Sequence, residues 1–288
     1  MTAGPPNATG GEGPLAIVCG GGSLPFAVAD AAVRQGRKVL LFALTGWADP
    51  QRIATYKHHW VRMGQYGRFK RLALAEGCRD LVFIGAVGRP AMWLLWPDFG
   101  TLRLLPRVLP LFKGGDNHLL SGLGRVFEGE GFRLVGAHEI APEILMPLGK
   151  VAGRDPNEAE QADIARGVAL LRATAPFDVG QAVVVAHNNV VAVEGPEGTD
   201  QMLTRVAELR RIGRIRTPNG VGVLIKAAKV GQDHRLDLPS IGPKTVESVK
   251  RAGLAGIAVL AGSTVVAEPE RIAVDAASAG IFVIGVPP

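Results

Sequence analysis

PLAIVCGGGSLPFAVADAAVRQGRKVLLFAL, residues 14–44, decides the fold. An apolar run from Pro14 breaks at Gly20-Gly21-Gly22. SLPFAVADAAVRQG then reads as a helix, with Ser23 placed to cap its start and Gly36 just past its end. KVLLFAL is the next buried strand. Strand, helix, strand is the unit from which parallel sheets are built. HHWVRMG, residues 65–76 and DLVFIGAVG repeat the alternation. Their strands are continuous apolar runs, so the sheet is expected to be covered on both faces.

Further along, WLLWPDFGTLRLLPRVLPLF (93–112) is apolar and Pro-interrupted, and it carries Trp93 and Trp96. A helix is expected from about Asp116, then a strand at FRLVG. GKVAGRDPNEAE (149–160) is polar, and its Gly and Pro break any periodic pattern, which marks a linker. After it come a helix over about 157–173 and two strands in AVVVAHNNVVAVEG, joined at Asn188-Asn189. The helix TDQMLTRVAELRRIG, the strand GVGVLIKAAK and a polar loop follow, then helix, strand, helix and a last strand, IFVIGV. The expected class is α/β: two α/β domains with mainly parallel sheets and a substrate cleft between them. The expected boundaries are a disordered tail over 1–13, an N-terminal Rossmann-like domain over 14–150, a linker over 151–160 and a C-terminal catalytic domain over 161–288.

At 288 residues with 47% apolar side chains, the chain can bury two cores. The net charge of +6 suits an anionic partner such as a phosphate ester, a nucleotide or an anionic membrane surface, and is equally an ordinary surface balance. Cys19 and Cys78 form no CxxC pair, which fits a reduced, cytoplasmic protein. The first residues lack the basic-then-apolar order of a signal peptide. No apolar run reaches the roughly 18 residues of a membrane span.

Several motifs can carry chemistry. Gly20-Gly21-Gly22-Ser23, between a strand and a helix, presents backbone N–H groups at the positive end of the helix dipole. It is either an anion site or a tight turn without a ligand. It is not a full dinucleotide fingerprint, because Pro25 stands where the third glycine belongs and no acid closes the following strand. In GAVGRP (85–90), Arg89 lies past a strand end and can pair a phosphate. VEGPEGTD supplies Glu194, Glu197, Thr199 and Asp200. Three carboxylates in so short a stretch offer the oxygen ligands that Mg²⁺ prefers, while Thr199 or Asp200 can simply cap a helix.

The densest stretch is KAAKVGQDHRLDLPSIGP (226–243), directly after a buried strand. Lys226 and Lys229 can neutralise phosphate oxygens. Asp233 and Asp237 can hold Mg²⁺, or one of them can act as general base on water. Gln232 and Arg235 add donors. That inventory suits phosphoryl chemistry, where the protein mainly positions groups and stabilises charge.

GGGSLP, GAVGRP, GDNHLL, AHEI-APEIL, PFDVGQAVVV, VEGPEGTD and KAAKVGQDHRLDLPSIGP-TV occur in that order. Together they resemble the UDP-2,3-diacylglucosamine pyrophosphatases, the lipid A family distinct from the calcineurin-like one, over essentially the whole chain. The resemblance implies Mg²⁺-dependent cleavage of the pyrophosphate of UDP-2,3-diacylglucosamine to UMP and lipid X, with water attacking the sugar-side phosphorus. It implies two domains with substrate between them, and it points to Asp233 as the essential acid. Val230 stands where proline is expected, a departure that removes no charged group. On this reading Asp233, Asp237, Lys226 and Lys229 are catalytic. Gly21, Gly22, Ser23, Arg89, Gln181, Thr199, Asp200 and Gln232 bind substrate, and Asp233, Asp237 and Glu197 hold Mg²⁺. The expected partner is the lipid-linked UDP-sugar, not nucleic acid, and peripheral contact with the inner membrane surface is open; the apolar 93–112 region can accept acyl chains, touch the membrane surface or be an ordinary core or interdomain segment, and the oligomeric state is left open. Two rival readings are a nucleotide-sugar or lipid-binding protein without turnover and an NAD(P)-dependent oxidoreductase on the first β-α-β.

Overall fold

The structure is a computed structural model and describes residues 13–88, 96–113, 116–177, 179–229 and 233–288. Most of the expected tail, together with Trp93, Arg89 and Gln232, lies outside these residues. The chain divides into two units, Met1–Pro142 and Glu143–Pro288.

In the first unit, β1 (Leu15–Cys19), α1 (Leu24–Arg34), β2 (Val39–Leu44), α2 (Pro50–Ile53), β3 (His58–Val61), α3 (Tyr66–Ala75) and β4 (Asp80–Ile84) alternate as the periodicity predicts. Then come α4 (Phe99–Val108), α5 (Asp116–Gly129), β5 (Arg133–Leu134) and α6 (Ala137–Ile140). The sheet is parallel throughout, in the order β3-β2-β1-β4-β5. Every residue of β1 is buried, the result of covering a central strand on both faces. The chain leaves β1 on one side for β2 and β3, then crosses back to β4 and β5. The order therefore reverses between β1 and β4, the switch point at which open α/β sheets receive ligands beyond their carboxyl ends.

Asp80, at the start of β4, is buried under two arginines. Arg133 donates twice to its carboxylate at 2.7 Å, and Arg37 donates a further hydrogen bond. Burial alone would raise this carboxyl's pKa, but the hydrogen bonds from Arg133 and Arg37 win and lower it. Burial also pushes the Cys19 thiol up to about 12 and the Cys78 thiol up to about 11, so both stay protonated at neutral pH as packing groups.

The second unit holds β6 (Gly149–Ala152), α7 (Glu158–Thr174), β7 (Ala182–Ala186), β8 (Asn189–Val193), α8 (Gly198–Arg211) and β9 (Val223–Lys226). They are followed by β10 (Ser240–Ile241), α9 (Pro243–Arg251), β11 (Gly256–Leu260), β12 (Val265–Val266), α10 (Pro269–Ala279) and β13 (Phe282–Val286). Its main sheet, in the order β6-β13-β11-β9-β7-β8, is mixed rather than mainly parallel. β13, β11 and β9 pair parallel with one another, whereas the β6–β13, β7–β9 and β7–β8 pairs are antiparallel. A tight hairpin can join only antiparallel strands, so the β7–β8 turn dictates that edge. The turn residues are His187 and Asn188, one position earlier than expected. Their φ values of 49° and 62° are the pair of positive angles that such a turn demands.

The segment expected as a linker is structured. Residues 149–152 are β6, paired with β13, and the stretch after them starts α7. Asn157 and Glu160 form a reciprocal capping box, and Arg154 grips the Glu160 carboxylate at 2.5 and 2.6 Å. Its polarity thus serves a helix start, and the chain divides upstream, between Pro142 and Glu143.

Candidate active site

Among the described residues, the expected ones gather in two clusters, one in each unit. In the first, the Gly20–Gly22 turn follows β1 and Gly85 follows β4, so both loops flank the switch point. Gly21 and Ala86 exchange backbone hydrogen bonds at 2.8 and 2.9 Å. The approach needs glycine on both sides: a Cβ on Gly20 would meet the Ala86 carbonyl oxygen at 2.7 Å, and one on Gly85 would meet the Gly20 carbonyl carbon at 2.8 Å. The Gly20–Gly22 turn and the Gly85-Ala86 segment, far apart in sequence, are therefore one structural feature.

Ser23 takes the N-cap position of α1 but does not cap it. Its backbone is helical, φ −89° and ψ −22°, whereas a capping side chain needs an extended one. Its hydroxyl is buried with no hydrogen-bond partner among the described residues. The N–H groups of the first helical turn are left without a side-chain cap, which keeps the anion-site reading of this turn open.

The second cluster gathers at the end of β9. Lys226 is only 7% exposed, and its ammonium donates to the Ser240 carbonyl at 2.9 Å. Burial drives its pKa down, and the carboxylates of Glu194, Asp200 and Asp237 push it back up. Glu194 is buried beside it. It accepts from the Gln181 backbone N–H at 2.8 Å and from the Thr199 hydroxyl at 2.9 Å. Thr199 therefore serves the cluster and not the helix start; α8 has no side-chain cap. The Gln181 side-chain oxygen is buried and has no hydrogen-bond partner among the described residues.

Glu194 is the residue that the sequence reading passed over in favour of Glu197. The Glu197 carboxylate pairs with Arg205 at 2.7 Å instead. The signal was the hairpin: Val183 pairs with Val193, so the next residue outward on β8, Glu194, falls beside Gln181 and Ala182.

Asp233 and Asp237 share one turn, in which the Asp237 N–H donates to the Asp233 carbonyl at 3.0 Å. Residues four apart on a helical turn lie on the same side. Arg235 holds the Asp233 carboxylate at 3.0 and 2.8 Å, which keeps its pKa below the usual range. Lys229 is half-buried shortly beyond β9. The far end of the loop is tied down where the Val265 N–H donates to the Pro239 carbonyl at 2.8 Å and β10 pairs with β12.

Among the described residues, no three Asp, Glu, His or Cys side chains converge as a ready-made cation cage. Mg²⁺ rarely needs one, since it commonly takes one or two carboxylates together with substrate phosphates and water. The donor set fits that lesser demand. Glu194, Asp200 and Asp237 act electrostatically on the Lys226 ammonium, and the Gln181 oxygen, without a partner among the described residues, is a further hard donor.

Family models for an LpxI N-terminal domain and an LpxI C-terminal domain match residues 14–144 and 147–284. The UDP-2,3-diacylglucosamine pyrophosphatase LpxI of Caulobacter vibrioides is 39% identical over 274 residues, which cover 95% of this chain and 98% of that protein. A UDP-glucose-4-epimerase from Stenotrophomonas maltophila, solved with NAD and formylated UDP-arabinopyranose, overlays 51% of this chain and 40% of its own at 13% identity. Its TM-score of 0.26 is too low to bear on the fold.

Proposed function

The chain belongs to the LpxI family, and from that premise we propose that it hydrolyses the pyrophosphate of UDP-2,3-diacylglucosamine in lipid A biosynthesis. The observation that carries this reading is identity of 39% over 95% of the chain with a pyrophosphatase of that name. Water adds to the sugar-side phosphorus, the bond from that phosphorus to the bridging oxygen breaks, and UMP leaves with that oxygen. The other product is the acylated sugar 1-phosphate, lipid X.

The residues divide the work as follows. Lys226 and Lys229 bring positive charge to the pyrophosphate, and Glu194, Asp200 and Asp237 oppose the burial that lowers the Lys226 pKa. Arg235 lowers the basicity of the Asp233 carboxylate, which favours a ligand role for Asp233 over that of general base. Asp237, on the same turn, is the candidate to take the proton from water. Asp233 would hold Mg²⁺, with the Gln181 oxygen as a further oxygen donor, while Glu197 stays paired with Arg205. When bound, the ion supplies charge neutralisation at the phosphates and a better leaving group. Gly21, Gly22, Ser23 and Arg89 in the first unit, and Gln181, Thr199, Asp200 and Gln232 in the second, are the substrate contacts of this reading. A cytoplasmic enzyme in peripheral contact with the membrane that holds its lipid substrate completes it. No helix among the described residues is long and apolar enough to cross a membrane.

The test is release of UMP from UDP-2,3-diacylglucosamine by purified Asp233→Ala. Loss of one charge-stabilising group in an active site lowers kcat by about 10²–10³-fold. A near-normal rate would remove Asp233 from the mechanism. Activity lost in EDTA and restored by added Mg²⁺ tests the cation separately.

A further inference from the structure

The first unit carries an exposed stripe that its own packing leaves unused. α4 is held firmly at its start. The Asp98 carboxylate accepts from the backbone N–H groups of Gly67, Arg68 and Thr101 at 3.1, 2.8 and 2.8 Å, so one side chain caps both α3 and α4. A Cβ on Gly100 would sit 2.5 Å from the Gly67 Cα, so the two helix starts touch. Leu104 is buried and faces the unit. On the opposite side, at steps of three and four, stand Phe99, Leu102, Arg103, Pro106 and Arg107, all exposed. Phe99 is 83% exposed and Leu102 48%; beside them are Trp96 at 67% and Leu109 at 49%.

The charges on this stripe have one sign. Residues 99–111 contain Arg103 and Arg107 and no acid. Arg103 has no partner among the described residues, while Arg107 reaches Glu130 at 3.2 Å from a guanidinium that is mostly in solvent. Exposed apolar side chains interleaved with arginine are the pattern of a helix lying in a membrane interface, apolar groups among acyl chains and cations against headgroups. A second copy of the chain is a poorer occupant, because an isologous contact would set arginines against arginines.

We propose that the stripe of Phe99, Leu102, Arg103, Pro106, Arg107 and Leu109 docks the protein on an anionic lipid bilayer. The inference stands apart from the assignments at Lys226 and Asp233, and binding can be measured without turnover. The full chain is sedimented with vesicles of phosphatidylglycerol and phosphatidylcholine, and with phosphatidylcholine alone. The expected result is binding to the anionic vesicles that salt weakens, about tenfold weaker for Phe99→Ser/Leu102→Ser and about fivefold weaker for Arg103→Gln. Hydrolysis of detergent-dispersed substrate by both variants should match the unmodified chain. Three results would overturn the proposal: variants that bind as tightly as the unmodified chain, equal or absent binding on both vesicle types, or a concentration-dependent dimer that the double variant abolishes. Loss of detergent-phase hydrolysis with vesicle binding intact would also overturn it, assigning the stripe to the substrate's acyl chains instead.

Discussion

Arg235 clasps both carboxylate oxygens of Asp233, two residues away, at 3.0 Å from Nε and 2.8 Å from Nη2. The guanidinium keeps the carboxyl pKa low, so Asp233 is ionised well below neutral pH. Replacing Arg235 with Gln removes the first and largest cause of that shift. The acid limb of the kcat–pH profile should then move to higher pH. Arg235→Lys should restore it only in part, because an ammonium cannot hold two oxygens in the same fork. An unmoved acid limb would separate Asp233's titration from catalysis.

Lys226 poses the opposite problem, a cation in a buried place. Burial lowers its pKa, and Glu194, Asp200 and Asp237 oppose that fall. Glu194→Gln should let the pKa drop further, so the alkaline limb of activity moves to lower pH. Lys226→Met should cut kcat by about 10²–10³-fold, the usual cost of losing a transition-state charge contact. The same variant should also melt lower than the unmodified chain, since it leaves the buried Glu194 carboxylate without its cation and the Ser240 carbonyl without its donor.

Asp80 and its two arginines give the first unit a stability switch in acid. Its folded pKa is depressed, so its contribution is present above the unfolded value and is lost as pH falls through the folded one. Asp80→Ala leaves Arg37 and Arg133 facing an emptied site and should destabilise the unit by about 3–5 kcal/mol at pH 7. The difference should shrink in acid. All four tryptophans, 47, 60, 93 and 96, belong to the first unit, so their fluorescence during urea unfolding follows that unit alone.

The glycine turns can be ranked. At Gly22 a Cβ would meet nothing, and only the φ of 90° resists substitution, at about 1–2 kcal/mol. At Gly20 and Gly85 a Cβ runs into backbone at 2.7 and 2.8 Å. If the turns bind the pyrophosphate or nucleotide, Gly20→Ala and Gly85→Ala should raise KM far more than Gly22→Ala. Equal effects from all three would argue for a bare turn.

The fold was largely legible in residues 14–44, because strand and helix periodicities are properties of short windows. The 149–160 segment misled for the same reason: polarity with Gly and Pro marks a loop, and a capping box uses those residues too. Ser23 stood at a helix start as expected, yet only its backbone angles revealed that the hydroxyl caps nothing. The mixed second sheet also escaped, since apolar runs do not announce strand direction.

By itself the sequence determined the α/β class, the order of the motifs and hence the family, and the loop that concentrates charge at 226–243. Only the tertiary structure decided which carboxylate serves the buried lysine. Glu194 and Glu197 are three residues apart and alike in chemistry. The register of the β7–β8 hairpin sets one beside Gln181 and Lys226, while the other turns to Arg205. Coulomb energy depends on distance across the sheet, and that distance is set by the pairing of strands and not by spacing along the chain.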